Sequence, residues 1–222
     1  MNSELILNTI NKRICQVSKE VLCRHDDESE IFPIIDAMLN AYLSDIPGCF
    51  VEAGCYKGGS TAKLSIIAGL CRRELVSFDS FQGMPENDEA HNLNILGKSI
   101  EGAFTKGRYK GNAKKVFDLI LKVGDYSCVG LVKGWFKDTL PDFKEKIAVA
   151  FIDVDLAEST KTCLKYLYPL LSSGGVLFSH DGLFPLVIDV FNDDAFWEDE
   201  VGVKKPVIQG LGKDKLLRIV KD

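Results

Sequence analysis

The feature that most constrains the fold is an alternation between short apolar runs and amphipathic stretches from about residue 49 to residue 180. Strands that alternate with helices form parallel sheets covered by helices on both faces. The order therefore predicts a doubly wound, Rossmann-like α/β fold with a mostly parallel sheet. The strand-like runs are CFVEAGC (49–55), ELVSFD (74–79), GLVKGW (130–135), IAVAFID (147–153) and GGVLFSH (174–180).

Helical periodicity is clearest over residues 159–171, where leucines and Cys163 recur at helical spacing and SSGG follows. Helical patterns at 4–22 and 32–43 precede the first strand. We expect them to form an N-terminal helical cap over residues 1–47, or a contact in a homo-oligomer. The last segment, 205–222, has the pattern of a terminal hairpin.

A chain of 222 residues is long enough for one well-buried α/β domain with a small appendage. We assign that domain to residues 48–222. The region from residue 83 onward is rich in Gly, Asn and Lys, a composition typical of loops. We expect residues 83–125 to form a mobile insertion on the substrate side.

Composition limits the classes of binding partner and the cellular compartment that we expect for this chain. A formal charge of −5 argues against nucleic acid held through phosphate contacts, so we expect a small-molecule partner. No apolar run reaches the length of about 18 residues that spans a membrane, and the first residues do not resemble a signal peptide, which predicts a cytoplasmic protein. The cysteines are odd in number and scattered, which favours reduced core thiols: Cys15, Cys23, Cys49, Cys55, Cys71, Cys128 and Cys163.

The first strand leads into FVEAGCYKGGSTAKL (50–64), where an acid precedes three glycines. Ligands of doubly wound sheets bind outside the carboxyl ends of the strands. Glu52 would repel a dinucleotide pyrophosphate, but it would suit S-adenosylmethionine, whose sulfonium and amino group are positive. Asp79, at the end of the second strand, suits the ribose hydroxyls of either cofactor. The alternative for Glu52 is that it only caps a tight turn.

A second group of polar residues lies after the two later strands: Asp153 and Asp155 after one, His180 and Asp181 after the other. Neighbouring strands lie about 4.8 Å apart, so a right-handed crossover would bring these side chains together. Crowded carboxylates favour a divalent cation such as Mg²⁺, which would lower the pKa of a substrate hydroxyl. The alternatives are a loop without metal whose acids cap the next helix, and a structural His180.

Taken together, VEAGCYKGGST, FDSFQGMP, GWFKDTLP and FIDVDLAESTKTCLKYLYPLLSSGG resemble the macrocin O-methyltransferase (TylF) family over residues 48–185. The resemblance implies a class I S-adenosylmethionine-dependent methyltransferase that acts on sugar hydroxyls of natural products. It also implies a Mg²⁺ held by Asp153 or Asp155 together with the end of the next strand. The residues implied to bind the cofactor are Glu52, Ala53, Gly54, Tyr56, Ser60, Asp79, Ser80, Phe81, Gly134, Trp135, Phe136 and Asp153.

The chain departs from that family where two consecutive aspartates are usual, because it has His180 and Asp181. A nitrogen ligand in place of an oxygen ligand weakens the preference for Mg²⁺, so the alternatives are Mn²⁺, another transition metal or no metal. We expect Asp153, Asp155, His180 and Asp181 to carry the chemistry. The alternatives are a metal-independent small-molecule methyltransferase and a non-catalytic S-adenosylmethionine-binding protein. We interpret His91 as a solvated loop residue, with a general base as its alternative.

Overall fold

The computed structural model describes residues 3–21 and 28–222. Its strands form one sheet and are, in chain order, β1 (Cys49–Ala53), β2 (Leu75–Asp79), β3 (Val129–Lys133), β4 (Ile147–Ile152), β5 (Leu171–Ser179), β6 (Ile208–Gln209) and β7 (Leu217–Val220). The strand order across the sheet is β3-β2-β1-β4-β5-β7-β6. Strands β1 to β5 pair in parallel, whereas β7 is antiparallel to β5 and to β6.

This order contains the switch point of a doubly wound sheet. The chain runs outward from β1 to β2 and β3, then returns to the other side of β1 as β4 and continues to β5. The connections diverge between β1 and β4, which leaves a crevice at their carboxyl ends. The predicted Rossmann-like α/β fold is confirmed, and the predicted C-terminal hairpin is the β6–β7 pair.

Helices cover both faces of the sheet. The helices are α1 (Ser3–Glu20), α2 (Glu28–Leu43), α3 (Gly59–Cys71), α4 (Ala113–Val123), α5 (Phe136–Thr139), α6 (Ala157–Leu167), α7 (Pro185–Asn192) and α8 (Asp194–Phe196). Alternate residues of a strand point to opposite faces, so Phe50 packs with α1–α4 whereas Val51 packs with α6 and α7. Among the described helices, none has the length and apolar character needed to cross a membrane.

The N-terminal helices lie directly on the sheet. Val17 of α1 and Ile34 and Met38 of α2 belong to the same buried cluster as Phe50 and Phe151 of the strands. The helical pattern of this segment is confirmed. These helices therefore help to form the hydrophobic core on one face of the domain, and the predicted oligomer contact stays a prediction.

The helix predicted over residues 159–171 is shorter at its carboxyl end than the pattern indicates. Helix α6 ends at Leu167, a single 3₁₀ turn covers Tyr168–Leu170, and β5 begins at Leu171. Pro169 is the reason, because it has no backbone N–H for an α-helical hydrogen bond and its ring would clash with the carbonyl of Lys165, four residues earlier, although Tyr168 itself keeps helical backbone angles. The SSGG segment consequently belongs to the strand.

The predicted insertion divides into two parts. Residues 113–123 form α4, a connecting helix that buries Val116, Ile120 and Val123 against α3 and the sheet. Residues 83–112, called here the 83–112 loop, contain no helix and lie at the carboxyl edge of the sheet. This edge is where the crevice opens.

The cysteines that the structure describes are free thiols, and Cys23 lies outside the described residues. Burial raises the pKa of Cys49 to about 12 and that of Cys128 to about 11. The predicted core position is confirmed for Cys49, Cys55, Cys71 and Cys163, which are buried, whereas Cys128 is half-buried and Cys15 is exposed.

Candidate active site

A cavity of about 600 Å³ opens at the switch point. Its walls come from the β1–α3 turn, the ends of β2, β4 and β5, and the 83–112 loop. A volume of this size accommodates a small-molecule ligand, and the location is the one that a doubly wound sheet offers.

Glycine geometry shapes the β1–α3 turn. Gly54 has φ +92°, and a Cβ placed there would lie 1.9 Å from the carbonyl oxygen of Asp153. Gly58, the N-cap of α3, has φ +82°, and a Cβ there would lie 2.7 Å from a methyl group of Val116. Both positions need glycine because the turn passes close to β4 and to α4.

Glu52 lies beneath this turn and does not line the cavity. Its carboxylate accepts hydrogen bonds from the hydroxyls of Ser60 (2.5 Å), Thr61 (2.5 Å) and Ser77 (2.8 Å). Ser60 and Thr61 belong to the first turn of α3, and Ser77 belongs to β2. The carboxylate therefore connects β1, β2 and the first turn of α3, and direct contact of Glu52 with the cofactor stays a prediction.

Asp79 ends β2 and does line the cavity. Its Oδ2 accepts the backbone N–H of Cys55 (3.0 Å) and Tyr56 (2.9 Å), and its Oδ1 accepts that of Phe81 (2.6 Å). Burial raises the pKa of Asp79 above its ordinary value, while the N–H donors act in the opposite direction. The carboxylate thus fixes the glycine turn and keeps lone pairs available for ligand hydroxyls.

Most residues implied to bind the cofactor surround the cavity. Ala53 and Phe81 are buried away from it, as Glu52 is, and Phe81 packs in the core cluster with α3. Of the residues implied to bind the cofactor, those that line the cavity are Gly54, Tyr56, Ser60, Asp79, Ser80, Gly134, Trp135, Phe136 and Asp153.

The predicted acidic group forms at the ends of β4 and β5. Potential ligand atoms of Asp153, His180 and Asp181 all lie within 4.8 Å of one another. Asp181 is fully buried, and its Oδ2 accepts the backbone N–H of Val154 and Asp155, each at 3.0 Å. Burial and the nearby Asp153 raise the pKa of Asp181 well above its usual range.

Asp155 takes a different position from Asp153. It lines the cavity and adopts φ +62°, and within the described residues it does not join the group formed with His180. The sequence leaves open which of the two aspartates is a metal ligand. The geometry groups Asp153 with His180 and Asp181.

Two residues that the sequence did not indicate complete this group. Glu30 of α2 places Oε2 2.9 Å from His180 Nε2, and Lys215 places Nζ 2.7 Å from Glu30 Oε1. Burial alone would raise the pKa of Glu30, but the contacts with His180 and Lys215 outweigh it and lower that pKa from 4.5 to about 2. Glu30 and His180 are 150 positions apart, and no local pattern connects them.

The donor set fits a divalent cation. Two carboxylates and an imidazole nitrogen converge, and burial together with repulsion from Asp153 raises the pKa of Asp181, so a cation would favour its ionised form. Oxygen donors suit Mg²⁺, whereas the imidazole nitrogen suits Mn²⁺ or another first-row metal. The residues placed to hold such an ion are Asp153, His180 and Asp181.

The 83–112 loop is fastened to the start of α6 by Glu89. Its carboxylate accepts the backbone N–H of Ala157 (2.9 Å) and Glu158 (3.0 Å) and contacts His91 Nε2 (2.8 Å). His91 is buried, with its ring centroid 4.6 Å from that of Phe104. The interpretation of His91 as a solvated residue is therefore wrong, because aromatic packing under the loop encloses it.

The cavity rim is aromatic and carries cations. The rings of Tyr56 and Tyr109 meet edge to face with centroids 5.7 Å apart. Lys57 Nζ lies 5.1 Å from the Tyr56 ring centroid, and the Arg108 guanidinium lies 5.6 Å from that of Tyr109. This side of the cavity provides planar surfaces together with positive charge.

The chain is similar to a family of O-methyltransferases and to two named members of that class. Residues 33–209 match the family model described as macrocin-O-methyltransferase (TylF). A Streptomyces olivaceus protein named 8-demethyl-8-(2,3-dimethoxy-alpha-L-rhamnosyl)-tetracenomycin-C 4'-O-methyltransferase is 32% identical over 175 residues, which cover 75% of this chain and 65% of that protein. The demethyldecarbamoylnovobiocin O-methyltransferase of Streptomyces niveus is 31% identical over 150 residues, which cover 62% of this chain and 54% of that protein. The chain spans less than two thirds of either relative.

Solved structures share the fold. The O-methyltransferase NovP superposes with a TM-score of 0.70 at 23% identity, over 86% of this chain and 78% of that one. The calicheamicin methyltransferase CalS11 superposes with a TM-score of 0.64 at 17% identity, over 99% of this chain and 94% of that one.

Proposed function

Because the chain belongs to the macrocin O-methyltransferase family, we propose that it is an S-adenosylmethionine-dependent O-methyltransferase acting on a hydroxyl of a small molecule. The acceptor class with most support is a sugar hydroxyl of a glycosylated natural product, since one relative is named for a rhamnosyl tetracenomycin. The observation that carries the proposal is the cavity at the switch point, lined by the glycine turn, Asp79 and the Asp153 group.

In this proposal the cofactor lies between the β1–α3 turn and β3. Asp79 accepts hydrogen bonds from the ribose hydroxyls, and the segment Gly134–Phe136 lies around the adenine. A Bacillus cereus O-methyltransferase whose structure contains the demethylated cofactor SAH has the same fold, with a TM-score of 0.55. Glu52 contributes indirectly, because it holds Ser60 and the first turn of α3 in place.

Methyl transfer is a direct displacement at the sulfonium methyl. The acceptor oxygen forms a bond to the methyl carbon, the carbon–sulfur bond breaks with its electron pair going to sulfur, and the hydroxyl proton passes to a base. Asp153 is the carboxylate placed to take that proton, since its side chain keeps 22% of its surface exposed whereas Asp181 is fully buried. A divalent ion on this group would lower the pKa of the hydroxyl. The 83–112 loop excludes water and positions the acceptor.

Calorimetry with the purified chain tests the cofactor. S-adenosylmethionine and its demethylated product should bind, NAD should not, and Asp79→Ala should weaken binding on the order of 10-fold or more. Tight binding of NAD would contradict the proposal.

Transfer of a labelled methyl group to a panel of glycosides, with Mg²⁺, Mn²⁺ or EDTA, tests the reaction. Asp153→Asn should lower turnover by roughly 10²-fold or more. Turnover that EDTA leaves unchanged would favour a metal-independent methyltransferase. Cofactor binding without transfer to any acceptor would favour a non-catalytic binding protein.

A further inference from the structure

The His180 imidazole lies between two carboxylates from distant parts of the chain. Its Nε2 is 2.9 Å from Glu30 Oε2, and its Nδ1 is 3.3 Å from Asp153 Oδ1. The side chain is 6% exposed, and its ring packs edge-on against Phe151 at a centroid distance of 6.2 Å. The ring is thus held in one orientation, with one nitrogen toward α2 and the other toward the cavity.

The Glu30 contact indicates which nitrogen carries a proton. Glu30 also pairs with the Lys215 ammonium at 2.7 Å, so its carboxylate is an anion that only accepts hydrogen bonds. A hydrogen bond between Glu30 Oε2 and His180 Nε2 therefore requires that Nε2 donates. The nitrogen left for the cavity is Nδ1, which faces Asp153.

We propose that Glu30 is a positioning residue that anchors His180 through Nε2–H and so presents Nδ1, with Asp153 and Asp181, to a divalent cation; this rests on the metal-assisted form of the proposed function. Histidines that bind metals almost always donate their other ring N–H to a carboxylate, a carbonyl or water, which fixes the tautomer and ring orientation. Glu30 has this relation to His180.

Docking of α2 does not require the Glu30 contacts. The helix buries Ile31, Ile34 and Met38, each 1% exposed, against the core. The Glu30 side chain is only 14% exposed, and removing charges from water opposes the gain from pairing them. The apolar face is sufficient to hold the helix on the sheet, whereas an imidazole that must point one nitrogen at a cation gains a fixed orientation from the Glu30 contact.

The first test is ¹⁵N NMR of the His180 ring in the full chain at pH 8, before and after Zn²⁺ is added. In the wild type Nε2 should be protonated in both states, and the Nδ1 signal should shift on addition of Zn²⁺. Glu30→Ala should lose the fixed Nε2–H signal, whereas Glu30→Gln should keep it because the amide oxygen still accepts. An unprotonated Nε2 in the wild type would overturn the proposal, and this measurement does not depend on catalysis.

The second test is calorimetric titration with Mn²⁺. Glu30→Ala should weaken Mn²⁺ binding by roughly 10- to 100-fold, and Glu30→Gln should weaken it less. Glu200→Gln is the matched control, since Glu200 pairs with Lys165 in an exposed contact away from the cavity and should leave binding unchanged. Equal Mn²⁺ affinity in Glu30→Ala and the wild type would refute the positioning role.

The two proposals fail in distinguishable ways. A protein that binds Mn²⁺ through His180 but does not bind S-adenosylmethionine would contradict the proposed function and leave the role of Glu30 intact. A protein that transfers methyl groups but has no measurable Mn²⁺ or Zn²⁺ binding would overturn the role of Glu30 and leave methyl transfer intact.

Discussion

Replacing Glu52 by glutamine separates a structural role from direct contact with the cofactor. The substitution keeps the size of the side chain and removes its charge. The Glu52 carboxylate accepts three hydroxyl hydrogen bonds, from Ser60, Thr61 and Ser77, and the side chain is fully buried. The structure therefore predicts an effect on folding stability, and only a secondary effect on affinity for S-adenosylmethionine.

The size of the effect follows from the three hydrogen bonds. A hydrogen bond to a charged group contributes about 1.5–3 kcal/mol and a neutral one about 0.5–1.5 kcal/mol, so each bond loses about 1 kcal/mol. The three losses total about 3 kcal/mol, and rotation of one hydroxyl to accept from the amide recovers part of this. We expect Glu52→Gln to lower the free energy of unfolding by about 2–3 kcal/mol, which corresponds to roughly 5–10 °C in Tm for a chain of this size.

Urea and thermal unfolding without ligand measure this change, and calorimetry measures S-adenosylmethionine affinity in the same variant. Glu200→Gln, an exposed change of the same chemical type, should leave Tm within about 1–2 °C of the wild type. If Glu52→Gln leaves Tm unchanged but weakens S-adenosylmethionine binding tenfold, the carboxylate contacts the cofactor directly and the reasoning from burial fails.

Three further predictions concern the same edge of the sheet. Asp79→Asn should weaken binding of the demethylated cofactor on the order of 10-fold, measured by calorimetry, because the ribose loses an anionic acceptor; unchanged affinity would remove Asp79 from the site. Glu89→Ala should lower unfolding free energy by about 1–2 kcal/mol in urea, because the N–H groups of Ala157 and Glu158 lose their acceptor; an unchanged midpoint would contradict the capping role. The pKa of Glu30 is lowered to about 2, so its stabilising contribution is present above about pH 4.5 and is lost as pH falls toward 2. The Tm difference between wild type and Glu30→Gln should accordingly narrow from pH 7 to pH 3, and a constant difference would contradict this.

Local patterns were sufficient for most of the architecture. Apolar runs bounded by turns located the strands of the parallel sheet, and the 3.6-residue period located α1, α2 and α6. Those patterns also placed Gly54, Asp79 and Asp153 at the carboxyl edge, since a strand's end is a local property. The end of α6 was misplaced because the apolar pattern continues past Pro169, whereas Pro169 lacks the N–H that an α-helix needs and the chain forms a 3₁₀ turn there.

The sequence by itself determined the doubly wound sheet and the identity of the polar residues at the carboxyl ends of its strands, because each follows from the periodicity or chemistry of neighbouring residues. Only the tertiary structure decided which way those residues face. The Glu52 carboxylate is buried among three hydroxyls from α3 and β2 and is not among the residues that line the cavity. Glu30 reached His180 because α2 packs on the sheet beside β5, which brings together residues 150 positions apart. Hydrogen bonds of this kind depend on how helices pack on the sheet, and the pattern of any one segment does not contain that information.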